Sequence, residues 1–250
     1  MNLGAPIAKG NTAKIYLYDG KIIKIFNDNL PDTESAYEAN KQKYAYSCGL
    51  SVPKVLDVTT IDGNQAIIME HVKGKTLGDL LSEESRKAKY YMSISVDIQL
   101  KIHKVIPDSN LEPMSEKLHR QIDSCHILDE KLKDFLLRRL DSMKFENRLC
   151  HGDFHLFNLI MTDYTVSIID WVDSSAGDIR ADVYRTYLLY SYYSVDLADM
   201  YMELYCKKSG LSKSDIFRWA PIIAGARLSE NVLTEDSEGL MEIINHAYKE

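Results

Sequence analysis

Two dipeptides, Asp19-Gly20 and Asp62-Gly63, constrain this chain most, because each sits between two short runs of β-branched and aromatic residues. Asp-Gly there favours the two-residue turn whose twist suits an antiparallel strand pair. The first pair of runs is Lys14 to Tyr18 and Lys21 to Phe26; the second is Lys54 to Thr60 and Gln65 to His71, with Asn64 extending the turn. Between them, Asp32 to Ser47 holds no Gly or Pro and carries Glu34 and Glu38 early. It stops at Cys48-Gly49, which predicts one helix with a glycine end.

After Lys73-Gly74-Lys75, a polar and flexible break, the period changes. Thr76 and Ser82 are candidate caps of short helices, and Ser85 to Val105 predicts a long helix ending before Pro107. Leu118 to Met143 continues as amphipathic helix. Strand character returns at Leu159 to Thr162 and Val166 to Ile169, around the turn Asp163-Tyr164. From Asp182 to Lys249 the pattern is helical again, interrupted at Ser209-Gly210 and Pro221. The expected fold class is α+β with two lobes. Residues 1–73 form a small β-rich N-lobe with one main helix, and residues 74–250 a larger, mostly helical C-lobe.

Charge and composition narrow the partners. A net charge of −7 is the wrong sign for a nucleic-acid footprint. No apolar run approaches membrane-spanning length, and the opening MNLGAPIAKGN lacks an apolar leader, so a cytoplasmic location is expected, with no membrane partner. Cys48, Cys125, Cys150 and Cys206 lie far apart without a C-x-x-C pair and read as reduced thiols.

The chemistry concentrates in HGDFHLFN, His151 to Asn158, followed by IIDW, Ile168 to Trp171. Asp153 and Asn158 are five apart in a loop, and Asp170 ends a strand twelve residues after Asn158. Phosphoryl transfer needs a carboxylate at the acceptor hydroxyl and oxygen ligands for Mg²⁺, and Asp-x-x-x-x-Asn, a hairpin and Asp supply both. Mg²⁺ favours such hard oxygen donors. A second reading takes His151, Asp153 and His155 as the H-x-D-x-H ligand set of a metal-dependent hydrolase, although no second His/Asp cluster follows downstream.

The run HGDFHLFNLIMTDYTVSIIDWVDSSAGDIRAD resembles the signature of the aminoglycoside phosphotransferase and choline kinase-like family, whose members share the protein-kinase fold. The resemblance implies Asp153 as catalytic base, Asn158 and Asp170 as Mg²⁺ ligands, and His151 as support for the loop. Asp178 and Asp182 match the later GD-x-x-x-D brace, with Ile179 where the family carries proline. In the small lobe it implies a phosphate-contacting Lys24 paired with Glu38 on the helix. Gly10, Asn11 and Thr12 would form a phosphate loop with a single glycine, and backbone groups of Glu70 and Val72 would meet the adenine edge.

The implied activity is transfer of the γ-phosphate of ATP, with Mg²⁺, to a hydroxyl of a small molecule that is aminoglycoside-, amino-alcohol- or sugar-like. MgATP is expected between the lobes. A catalytically inactive, nucleotide-binding pseudokinase acting through a partner is the competing reading. The presence of Lys24, Glu38, Asp153, Asn158 and Asp170 together speaks against it. Asp173 and Glu230, with Glu235, Asp236 and Glu238, are candidates for an acidic rim facing a cationic acceptor. Arg227 lies one helical turn from Glu230, which also suits a plain intrahelical pair. The tyrosines from Tyr184 to Tyr205 read as packing, and His103, His119, His126 and His246 as structural or surface residues.

Overall fold

The structure is a computed structural model that describes residues 3–10, 12–108, 110–163, 165–230 and 237–249. Contacts divide it into two compact units, Met1–Ser85 with Leu156–Asp173 and Arg86–His155 with Ser174–Glu250.

The first unit is built on the two Asp-Gly turns. Strands β1 (Ala8–Lys9), β2 (Ala13–Tyr18), β3 (Lys21–Phe26), β4 (Val55–Ile61) and β5 (Asn64–Glu70) form an antiparallel sheet in the order β1-β2-β3-β5-β4. Asp19 and Gly20 have φ of 49° and 70°, and Asp62 and Gly63 have 50° and 89°. Two successive left-handed residues make the type I′ turn that the sequence announces. The register opposes Ile15 to Lys24 and Val58 to Ile67. Helix α1 (Glu34–Ser47) packs on β4 and β5, over a core of Ala13, Phe26, Ala39, Val55, Ile67 and Met69.

The segment Lys73-Gly74-Lys75, expected to be a flexible break, is instead anchored. Lys75 and Thr76 form β6 and pair with Met161 and Ile160 of β8 (Leu159–Met161). β8 pairs in turn with β9 (Val166–Ile168). Thr76 also caps α2 (Leu77–Glu83), its Oγ1 accepting the Asp79 N–H at 3.0 Å. The β8–β9 hairpin is tied back to the unit by Ile168 N–H on the Ser51 carbonyl (2.8 Å) and by Lys41 Nζ on the Val172 carbonyl (2.8 Å).

The second unit is helical, with one two-stranded ribbon of β7 (Arg148–Cys150) and β10 (Ser175–Gly177). The long helix expected from Ser85 opens as a 3-10 turn, Ser85–Lys87, and continues as α3 (Ala88–Ile102). The helix expected over Leu118 to Met143 is broken in two, α4 (Met114–Ser124) and α5 (Glu130–Ser142). Cys125 is extended, and Asp129 restarts the helix by accepting the Leu132 N–H at 2.9 Å. The rest comprises α6 (Ile179–Tyr193), α7 (Val195–Ser209), α8 (Lys213–Phe217), α9 (Ala220–Leu228) and α10 (Ser237–Lys249). Buried α9 touches α4, α5, α6 and α10 and forms the centre of this unit.

Gly74 is a steric necessity, because a Cβ there would sit 2.1 Å from the Met161 carbonyl oxygen. Backbone cannot yield as a side-chain tip can, so Gly74→Ala should destabilise the chain by about 1–3 kcal/mol. Urea titration checks this; an unchanged midpoint would show that β6 and β8 separate freely.

Candidate active site

In the first unit Lys24 rises from the middle of β3, flanked by Ile23 and Ile25, and its Nζ meets both oxygens of Glu38 on α1, at 2.6 and 2.8 Å. The Asp170 Oδ1 lies 3.6 Å from the same nitrogen. Burial works against the ammonium, but the carboxylates of Asp170 and Glu38 outweigh it and raise the Lys24 pKa. Burial also raises Glu38 against the pull of Lys24. With both carboxylate oxygens on the ammonium the pair is ionic.

Asp170 follows β9 with a φ of 63°, a left-handed conformation that a non-glycine residue adopts at a cost of about 1–3 kcal/mol. Trp171 Nε1 closes that bend on the Ile168 carbonyl at 3.2 Å. The Ile169 N–H donates to the Asn158 carbonyl at 3.0 Å, which brings the Asn158 and Asp170 segments side by side. Asp170 Oδ1 is buried and makes no hydrogen bond. A shielded carboxylate oxygen beside an asparagine is a donor set that fits Mg²⁺. Asp173 belongs to the same unit and follows Val172, the Lys41 partner.

Gly10, Thr12, Glu70 and Val72 lie in the same unit. Gly10 donates its N–H to the Ala13 carbonyl (2.9 Å) and Thr12 accepts from Asn27 N–H (2.9 Å); both residues are exposed. Asn11 lies outside the described residues. Glu70 ends β5 and exchanges backbone and side-chain hydrogen bonds with Lys54, and Val72 follows it, partly buried.

In the second unit His151 and Asp153 flank Gly152, which has a φ of 83°. The Asp153 N–H donates to His151 Nδ1 (3.3 Å), and His155 Nε2 stands 3.5 Å from Asp153 Oδ2. Burial pushes the Asp153 carboxyl up, but His155 first, then Arg185 and His151, hold it well below the usual carboxylate range.

The loop is fastened by Asp182, whose Oδ1 accepts the Gly152 N–H at 2.7 Å. Its Oδ2 accepts from His103 Nε2 (2.9 Å) and Gln99 Nε2 (3.2 Å). Tyr205 lies 2.6 Å from His103 Nδ1, and Tyr201 donates to Gln99 Oε1 at 2.6 Å. Both ring nitrogens of His103 and both ends of the Gln99 amide thus find partners within this buried chain. Burial raises the Asp182 pKa, but His103 and the Gly152 N–H overcome it and bring it down to about 2. Asp178 caps α6 by accepting the Arg180 N–H (2.8 Å), and it also takes the Trp219 indole N–H (3.0 Å).

Among the described residues, the three-ligand group within metal reach is His103, Cys150 and Asp182, not His151, Asp153 and His155. His103 already has both ring nitrogens engaged, so the hydrolase reading gains nothing from the geometry.

Residues 4–221 match the phosphotransferase enzyme family. The chain belongs to this family. Human (Homo sapiens) acyl-CoA dehydrogenase family member 11 is 26% identical over 182 residues, which are 61% of this chain and 23% of the relative. A probable serine/threonine-protein kinase of Clostridium perfringens (strain 13 / Type A) is 30% identical over 109 residues, 42% of this chain and 15% of that protein. The chain thus spans less than a quarter of the length of these curated relatives. Among solved structures, a thermostable aminoglycoside phosphotransferase in ternary complex with ADP and hygromycin B superposes with a TM-score of 0.73 at 13% identity, covering 97% of this chain and 92% of that one. Choline kinase from Cryptosporidium parvum Iowa II gives 0.63 at 13% identity, covering 98% and 87%. At these identities the likeness establishes the family's protein-kinase-like α+β fold.

Sequence reasoning missed Arg185, which reaches Glu230 across 45 positions, and the roles of Gln99, Tyr201 and Tyr205. No local pattern marks these residues, because their partners are distant in the chain.

The folded-state pKa of Asp182 lies below its unfolded value near 4. Its contribution is therefore complete above about pH 4 and lost as pH falls toward 2, and it amounts to about 2 kcal/mol. Denaturant titrations across that range should show the loss in the parent chain and a flatter dependence in Asp182→Asn.

Proposed function

We propose that the chain is an ATP- and Mg²⁺-dependent phosphotransferase that moves the γ-phosphate to a hydroxyl of a small molecule. One observation carries this reading: the buried Lys24 ammonium held on both oxygens of Glu38 with Asp170 beside it. Membership of the phosphotransferase family supports it. In this reading residues 1–73 are the nucleotide lobe, and residues 74–250 carry the catalytic and acceptor residues.

Lys24 would bind the α- and β-phosphates, while Glu38 fixes its direction and keeps it charged. Asn158 and Asp170 would hold Mg²⁺, which when bound neutralises charge on the phosphates. Backbone groups at Gly10, Asn11 and Thr12 would line the phosphates, and those of Glu70 and Val72 the adenine edge. Asp153, kept ionised by His155 and Arg185, would accept the acceptor hydroxyl's hydrogen bond, aim its oxygen and take its proton late. His151, Asp178 and Asp182 would hold that loop in place. No described helix is long and apolar enough to cross a membrane, and the reading calls for neither a membrane nor a nucleic-acid partner. It places the protein in the cytoplasm.

Asp153→Asn should lower turnover about 10²–10⁴-fold, the usual worth of a positioned base, while nucleotide affinity changes little. A variant with full turnover in a coupled ADP-release assay would sink the assignment. Asp170→Ala should abolish the Mg²⁺ dependence of nucleotide binding in isothermal titration; a persistent metal effect would remove Asp170 from the ligand set.

A further inference from the structure

Glu230 is engaged within the protein. Its Oε2 accepts an N–H from Arg185 at 2.9 Å and another from Arg227, and its Oε1 accepts the Gln121 amide at 3.2 Å. These donors stand on α6, α9 and α4, so three helices of the second unit converge on one carboxylate. The arginine side chains are only 9% and 10% exposed.

Two guanidiniums so close repel each other, and little water remains to screen them. Burial and the neighbouring Arg185 lower the Arg227 pKa, against the pull of Glu230 and Asp153. Arg185 in turn helps keep Asp153 ionised. For packing alone this arrangement is costly, since apolar side chains of similar volume fill such a space as well or better. Its chemical sense is recognition: planar guanidiniums match carboxylate and phosphate oxygens, and they stay charged when buried.

We propose that Arg185 and Arg227, steadied by Glu230, bind an oxyanion on the acceptor, a carboxylate or a phosphate, and so direct its hydroxyl to Asp153. The acceptor is then a hydroxy acid or a phosphorylated alcohol. This inference rests on the reading of Asp153 as the base at the acceptor hydroxyl.

Four probes of matched carbon skeleton separate the cases: glycerate, glycerol 3-phosphate, glycerol and 3-aminopropane-1,2-diol. Their binding to the full chain is measured by saturation-transfer NMR at constant ionic strength. At least one of the two anions should bind about tenfold or more tightly than glycerol or the amine, as charge-assisted hydrogen bonds allow. Which anion wins distinguishes a carboxylate from a phosphate site. Arg227→Gln keeps a donor for Glu230 but removes the charge, and it should erase the preference. Arg185→Gln repeats the test from α6 should the first variant fail to fold. Equal or absent binding across the four, tightest binding of the amine, or a preference that survives both substitutions overturns the proposal. Asp153→Asn should bind the favoured anion at least as tightly while losing turnover. A fault in the assigned base therefore shows in turnover, and a fault in the anion site shows in binding.

Discussion

A carboxylate wholly removed from water must have its lone pairs matched by donors, and Asp182 meets that demand in a way that organises the second unit. Its oxygens gather the Gly152 N–H, an imidazole from just beyond α3 and an amide from within α3. Leaving one such group unmatched costs about 1–3 kcal/mol, and more where the group is charged. The requirement fixes where the His151–Asp153 loop can run. Asp182 stands on α6, the helix that also presents Arg185, and Asp178 caps that helix while holding Trp219. One helix therefore fastens the loop and supplies a cation that keeps Asp153 ionised.

The first unit solves a related problem with opposite charge. The Lys24 ammonium is buried, and Glu38 and Asp170 together outweigh the desolvation. Asp170 can do so because the β8–β9 hairpin is held by Ser51 and Lys41, residues on either side of the end of α1. The left-handed backbone at Asp170 is stored strain that these ties sustain. That strained backbone carries the buried Oδ1 to within 3.6 Å of the Lys24 ammonium.

Short-range features were legible in the sequence. Both Asp-Gly turns, the glycine end of α1, the Lys24–Glu38 pairing and the spacing of Asp153, Asn158 and Asp170 rest on contacts local in chain or on stereotyped motifs. The break between α4 and α5 was not legible, because Cys125 and Leu128 are buried and continue an apolar pattern through a segment that is not helical. Strands β7 and β10 are three residues each, and Ser175-Ala176-Gly177 carries no β-branched signal. His103 finds partners 79 and 102 positions away, which no window along the chain can reveal. Glu230 reads as a surface acid because its partner Arg185 is invisible from its neighbourhood. Glu235 and Asp236, grouped with it in the acidic rim, lie outside the described residues.

The tie between Ser51 and Ile168 also bears on synthesis. Neither unit is one continuous stretch of chain, and the first needs residues up to Asp173 to be complete. As the chain leaves the ribosome, the five-stranded sheet and α1 can form early. The hairpin bearing Asn158 and Asp170 must wait until roughly a hundred further residues have emerged. Until then the Lys24–Glu38 pair lacks its second carboxylate, and β6 has no partner strand. Closing so long a loop is slow compared with local helix formation, so completion of the first unit is a late, non-local event in the birth of this protein.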